Sequence, residues 1–231
     1  MKTIQKLGVA SALLGFSIPL LAEVEANVGV TSNYLWRGVT QSDSAASVSG
    51  GLDYSNDSGF YAGTWVGSLA DGDNGFDGSE TDIYFGFGGD ISEGVGYDVG
   101  YIYYHYSTQE DADFSEIYAS VSASVVTVGA AYTVDSQVDD AVGTGEGFIE
   151  GDVYIYGSVG FDLSDEFSLG ATIGNYAFDD DGEGGAELDY THYQVDLTKS
   201  TESMGDFTFT ISSTDVDGAD TDVVVSWGIA L

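Results

Sequence analysis

Apolar and small or polar residues alternate along this chain with a period of two, run after run. That pattern leaves little room for anything but β-strands. Val95, Tyr97, Val99, Tyr101 and Tyr103 interleave with Gly96, Asp98, Gly100, Ile102 and Tyr104. Ile117, Ala119, Val121 and Ala123 do the same with Glu116, Tyr118, Ser120 and Ser122, and Val223, Val225, Trp227, Ile229 and Leu231 close the chain in the same way. Twelve such runs lie near residues 26–36, 45–54, 59–69, 80–89, 95–106, 114–124, 126–134, 151–161, 166–178, 188–198, 205–213 and 221–231. The run at 59–69 can be read in two registers, with either Phe60 and Val66 or Tyr61, Trp65 and Leu69 outward.

The connections alternate as well. One set is mostly short, at 55–58, 90–94, 124–125, 162–165 and 199–204. The other is polar, acidic and mostly longer, at 37–44, 70–79, 107–113, 135–150, 179–187 and 214–220. Short turns at one end and long loops at the other is the pattern of outer-membrane barrels, and an even strand count brings both termini to the short-turn end.

The first 22 residues read as a secretory leader. Lys2 and Lys6 form a positive start, Leu7 to Leu21 an apolar stretch broken by Pro19, and cleavage is expected after Ala22 or, alternatively, Ala26. The stretch is too short for a transmembrane anchor, and no later segment has 18 consecutive apolar residues. With the leader gone, the net charge moves from −35 to −37, and Arg37 and Lys199 are the only cations besides histidine. Such acidity sets nucleic acid aside as a partner. Cysteine is absent, which excludes disulfides and thiolate metal sites.

Alternation alone does not say which face meets solvent. A soluble barrel has an apolar interior, and a membrane barrel has the reverse. The small polar faces here are rich in Gly, Ser and Thr with a few acids, whereas a soluble exterior mixes lysine and arginine with acids. Aromatics near strand ends, namely Tyr34, Trp36, Tyr101, Tyr103, Phe161, Phe167 and Trp227, suit interfacial girdles. In hydrocarbon every strand edge must be paired, so the sheet must close. The expected fold is therefore all-β: an antiparallel transmembrane β-barrel of about twelve strands over residues 23–231, after a cleaved signal peptide at 1–22.

On this reading Arg37, Asp53, Asp82, Asp98, Glu116, Asp152 and Asp196 take inward positions and line the pore. Arg37 has two readings, as a lumen residue that shapes the path or as the partner of an inner-wall carboxylate that holds the first loop. His105 falls outward beside Tyr101 and Tyr103, and His192 falls inward near Asp189 and Asp196. A Ser/His/Asp site on His192 is conceivable but has no strained nucleophile motif beside it, so no catalytic residue is expected. Asp71–Gly75 and Asp215–Gly218 offer clustered oxygens of the kind calcium takes, yet neither fits a full calcium loop, and a solvated acidic rim is the expectation. The Gly182–Gly185 run lacks the Lys-Ser/Thr of a phosphate loop. No cofactor or metal is expected.

Two blocks carry a family likeness. SNYLWRGVTQ (Ser32 to Gln41) and GGLDYSNDSGFYAGTWVGS (Gly50 to Ser68) resemble the opening of the TorF-type porins, a proteobacterial outer-membrane β-barrel family of unknown function. The likeness implies an outer-membrane location in a Gram-negative bacterium, with lipid and the barrel-insertion machinery as partners. The terminal strand suits that machinery, although Leu231 stands where phenylalanine is commoner. The expected function is a non-enzymatic channel for passive diffusion of small hydrophilic solutes or ions, cation-preferring because inward acids outnumber one arginine. The rival readings are a structural or adhesive barrel whose acidic loops bind divalent cations, and a soluble ligand-binding barrel.

Overall fold

A computed structural model describes residues 23–71, 76–138, 147–180 and 188–231. The expected leader, the Gly182–Gly185 run and most of Asp71–Gly75 lie outside the described residues. Fourteen strands appear: β1 (Glu23–Thr31), β2 (Leu35–Trp36), β3 (Val39–Thr40), β4 (Ser47–Ser55), β5 (Phe60–Asp71), β6 (Phe76–Ser92), β7 (Val95–Tyr106), β8 (Phe114–Ala123), β9 (Val126–Ser136), β10 (Val153–Asp162), β11 (Phe167–Ala177), β12 (Tyr190–Thr201), β13 (Gly205–Thr214) and β14 (Asp222–Ala230). Twelve of them close into one barrel, each strand antiparallel to its neighbours in sequence, while β2 and β3 pair only with each other. Closure comes from β1 against β14, in the register Asn27↔Ala230 to Thr31↔Ser226. The shortest barrel strands have nine residues, about the length a tilted strand needs to cross a bilayer's hydrocarbon.

The faces are inverted relative to a soluble barrel. Val28, Val48, Leu52, Ile83, Phe85, Val99, Ile117, Ile155, Val195 and Val225 are exposed on the outside, whereas Ser47, Asp53, Glu80, Asp82, Glu116, His192, Gln194, Asp196, Thr210 and Ser212 are buried. A water-facing exterior of that composition would lose the whole hydrophobic driving force, so the apolar band is a lipid-facing surface. Phe60 and Val66 take the outward register in β5, and Tyr61 and Leu69 are buried. This settles the ambiguous run. Near the short-turn end the outward rings of Tyr54, Phe60 and Phe87 follow one another at centroid separations of 6.3 and 5.3 Å. They form part of an aromatic girdle.

Inside, glycines open space for aromatic rings. A Cβ placed on Gly63, Gly100 or Gly129 would lie 2.4–2.6 Å from the nearest ring atom of Tyr84, Tyr118 or Tyr156. Each tyrosine therefore lies across a glycine of the next strand instead of standing up into the lumen. This flat packing explains why a glycine stands beside each of these inward tyrosines on the adjacent strand.

Two expectations change here. The hairpin between β5 and β6 continues through most of 70–79, because the strands run to Asp71 and resume at Phe76. The first strand does not run on to residue 36. It stops at Thr31, and the chain turns into the barrel, so Tyr34 and Trp36 leave the girdle for the interior.

Candidate functional site: a lumen constriction

The segment between β1 and β4 is built to fold inward. Asn33, 4% exposed, is its hub. Its Nδ2 donates to Asp222 Oδ1 at 3.0 Å, and its Oδ1 accepts from Thr40 Oγ1 at 2.6 Å and lies 3.1 Å from Ser42 Oγ. Ser42 Oγ in turn accepts from the Tyr34 amide at 2.8 Å and donates to the Ala45 carbonyl at 2.7 Å. With the backbone polar groups bound this way, β2 and β3 form a two-residue-a-side hairpin whose tip is Arg37-Gly38. Both tip residues have left-handed backbones, φ 49° for Arg37 and 84° for Gly38. Gly38 has no room for a side chain, since a Cβ there would sit 2.4 Å from His192 Cβ.

The tip is clamped. Arg37 Nη1 and Nη2 donate to Glu116 Oε1 and Oε2 at 2.8 and 2.6 Å, a bidentate pair with side-chain exposures of 10% and 1%. The guanidinium carbon lies 4.2 Å from the ring centres of Trp36 and Tyr154 and 5.0 Å from that of Tyr176. The Glu116 carboxylate supplies the counter-charge that a buried guanidinium requires. Trp36 meets Tyr104, Phe114, Phe148 and Tyr176 at 5.7–6.3 Å. Tyr34 donates to Glu80 Oε1 at 2.7 Å. The hairpin thus lies against the inner wall of β6–β12 near the long-loop end, because Glu116 is three residues into β8 from that end. The β8–β9 ladder slips at the same point, pairing Ser115 with Asp135 and Glu116 with Thr133. Such an irregularity re-aims a side chain.

The other expected site residues are distributed around the wall. Asp53 on β4 accepts from Asn27 Nδ2 at 2.9 Å and from the Tyr84 hydroxyl. Asp98 on β7 accepts from Tyr61 at 3.0 Å, and Tyr61 meets the Tyr118 hydroxyl at 2.6 Å. Asp196 on β12 accepts from Gln194 Nε2 at 3.0 Å and Thr210 Oγ1 at 2.6 Å. Asp82 on β6 is 6% exposed. Asp152 differs in kind. It precedes β10, is fully buried, and takes the amides of Ile149 and Asp179 at 3.1 and 2.9 Å, so its carboxylate staples two loops together. Only Arg37 and Glu116 of the seven meet directly.

His192 Nε2 meets the Tyr154 hydroxyl at 2.8 Å, and its Nδ1 is buried with no hydrogen-bond partner. The carboxylate contact that a Ser/His/Asp site depends on is not formed. His105 projects outward, half exposed, with Nδ1 2.8 Å from Asp113 Oδ2. Asp215 Oδ1 is engaged by the Thr191 amide at 2.7 Å. The site residues that sequence reasoning missed are Asn33, Ser42, Glu80, Tyr154 and Tyr176, while Trp36 was assigned to the girdle. The one available signal was Trp36-Arg37-Gly38 at the junction of the first alternating run and its loop.

A closed twelve-stranded barrel with an apolar outer band and a hairpin folded into its lumen has the fold of an outer-membrane porin. The chain belongs to the family described as "Bacterial protein of unknown function (Gcw_chp)", which it matches over residues 21–226. Among solved structures it is similar to the KdgM porin, with 8% identity, a TM-score of 0.57, and coverage of 90% of this chain and 98% of that one. A KdgM porin in complex with disordered oligogalacturonate is similar at 7% identity and a TM-score of 0.58, with the same coverage. The NanC porin follows at 11% identity and a TM-score of 0.53, again over 90% of this chain and 98% of that one. At these identities the likeness concerns the fold. No curated protein matches the sequence.

Proposed function

We propose that this protein is a channel of the Gram-negative outer membrane through which small hydrophilic solutes diffuse passively, with cations preferred. The observation that carries the reading is the state of its single lumen arginine. Arg37 is bound at both nitrogens by Glu116, while Asp53, Asp82, Asp98 and Asp196 face the interior with no cationic side chain in salt-bridge contact among the described residues. The other lysine or arginine among the described residues, Lys199, is 4.0 Å from Glu166 on the outer surface at the short-turn end. Rings of acids favour cations in a pore, and a mouth of one sign concentrates counter-ions.

The KdgM neighbour is described in complex with oligogalacturonate, an acidic chain. A similar solute would meet uncompensated carboxylates here, so this barrel's substrates belong to a different charge class. The acidic loops face outside and the short turns face the periplasm. The finer TorF-type assignment rests on the Ser32–Gln41 and Gly50–Ser68 blocks, and a cleaved leader at 1–22 delivers the chain to the insertion machinery. Surrounding lipid, with no cofactor, completes the functional unit.

Reversal potential across a planar bilayer in a potassium chloride gradient tests the charge argument. A cation-selective sign is expected at low salt, fading as salt rises, because exposed charge is screened over about 10 Å at 0.1 M. An anion-selective sign at low salt refutes it.

A further inference from the structure

The lumen has two unlike walls. One carries Tyr84 on β6, Tyr118 on β8 and Tyr156 on β10, all inward and half-buried. Each ring lies flat across a glycine of the adjacent strand, with ring atoms 2.4–2.6 Å from where a Cβ would stand on Gly63, Gly100 and Gly129. A ring that covers the wall with one face turns the other to the lumen. The hydroxyls are tied at the wall. Tyr84 donates to Asp53, Tyr118 meets the Tyr61 hydroxyl at 2.6 Å, and Tyr156 hydrogen-bonds Ser120. Ring faces, not phenol tips, are therefore what this wall offers a solute.

Across the closed sheet, β14 stands opposite β8 and β4 stands opposite β10. Among the described residues, the inward positions of β13, β14, β1 and β4 carry no aromatic ring. They present Thr208, Ser226, Thr31 and Ser49, again half-buried. Ser226 donates to Thr31 at 2.9 Å, and Thr208 meets the Thr198 hydroxyl at 2.9 Å. A hydroxyl in such a chain keeps lone-pair capacity for a further donor. Tyr118 and Ser226 both lie near the middle of their strands, so rings and hydroxyls face one another at similar depth. Tyr118 and Tyr156 are also the next inward residues below Glu116 and Tyr154, which hold the hairpin tip. The hairpin itself uses such a face, since the Arg37 guanidinium lies over the Tyr154 ring at 4.2 Å.

We propose that the lumen recognises neutral saccharides, whose ring faces pass over Tyr84, Tyr118 and Tyr156 while their hydroxyls bond to Thr208, Ser226, Thr31 and Ser49. This names the solute class of the channel proposed above and rests on that reading. A pyranose has a flat face of slightly positive C–H groups, which suits the negative face of an aromatic ring. Its rim of hydroxyls both donates and accepts, as the opposite wall does. An acyclic polyol has the hydroxyls without the rigid face, so only one wall holds it. Acidic saccharides are repelled by Asp53 and Asp98, which belong to the same tyrosine network.

Maltotriose is the probe, mannitol the acyclic control, and a galacturonate trimer the acidic one. Added to one side of a planar bilayer carrying potassium current, maltotriose is expected to interrupt the current in a saturable manner. Mannitol at the same concentration should leave it unchanged. Tyr118→Leu and Tyr156→Leu should each raise the half-blocking concentration by about threefold, and the double variant by about tenfold. Tyr156→Phe keeps the ring and should restore most of the affinity lost in Tyr156→Leu. Heat-modifiable migration separates lost binding from a failure to fold, and the Tyr156 pair carries the test if the double variant does not fold. Saturation-transfer NMR of maltotriose with the barrel, in a detergent without a sugar headgroup, gives a readout that does not need conductance. Transfer is expected at the sugar C–H protons. Potassium current that maltotriose disturbs no more than mannitol, with no saturation transfer, overturns the saccharide site and leaves the channel standing. Saturation transfer that the double variant loses, without any potassium current, overturns the channel and leaves the site standing. Equal half-blocking concentrations in wild type and both Leu variants overturn the site as assigned. A galacturonate trimer that blocks at lower concentration than maltotriose overturns both the neutral class and the cation preference.

Discussion

Replacing Arg37 by alanine is expected to lower the unfolding temperature of the barrel by several degrees and to raise its single-channel conductance. Glu116 is 1% exposed, and both of its oxygens are taken by the guanidinium. Removing one partner of such a pair costs about 3–5 kcal/mol, because the remaining charge stays buried and unpaired. The same change withdraws the anchor of the hairpin tip, so the β2–β3 segment loses its seat against the wall and the path widens. The cost belongs to the orphaned Glu116, which gives a sharper check. Arg37→Ala combined with Glu116→Gln should recover much of the lost stability while conductance stays high. If the single change leaves stability untouched and shifts only selectivity, Arg37 lines the path freely and the clamp is not structural.

Putting a side chain on Gly38 should have a comparable effect by a different route. The residue has φ 84°, and any Cβ would press on His192 Cβ at 2.4 Å. A left-handed backbone costs an ordinary L-residue about 1–2 kcal/mol, and neither His192, which is fixed by Tyr154 at 2.8 Å, nor the hairpin can give way locally. Gly38→Val is therefore expected to unseat the hairpin and raise conductance without touching the Arg37–Glu116 chemistry. Gly38→Ala should do so less, and His192→Gly in the same chain should partly restore the closed level by returning the space. Wild-type conductance in Gly38→Val would mean that the hairpin is not seated where its glycine requires it.

The barrel was legible because its determinants are local. Inward and outward residues alternate along every strand, so a reader of Val95 to Tyr103 needs no other part of the chain. The ambiguous run at 59–69 resolved only through a neighbour, since Tyr61 packs inward where Gly86 leaves it room. The hairpin was not legible for the same reason on a larger scale. Asn33 binds Asp222, 189 residues away, and Arg37 binds Glu116, 79 residues away. Parity gave Arg37 an inward sense along a strand running to residue 36, whereas β1 ends at Thr31 and Arg37 stands at a hairpin tip, with Tyr34 and Trp36 inside instead of on the girdle. Asp152 shows the converse limit. It obeys the inward register, yet it lies just before β10, where the carboxylate's nearest partners are loop amides. Asp82 was marked as inward by alternation alone, and the burial of its Oδ1 without a hydrogen-bond partner is a property of three strands together.

Solute flux into proteoliposomes tests the central claim most directly. Three hydrophilic solutes of similar size, one cationic, one neutral and one anionic, should enter at rates in that order and well above protein-free vesicles. Galacturonate oligomers should enter slowest of all. Rates equal to those of empty vesicles, or an anionic solute entering fastest, would contradict the account.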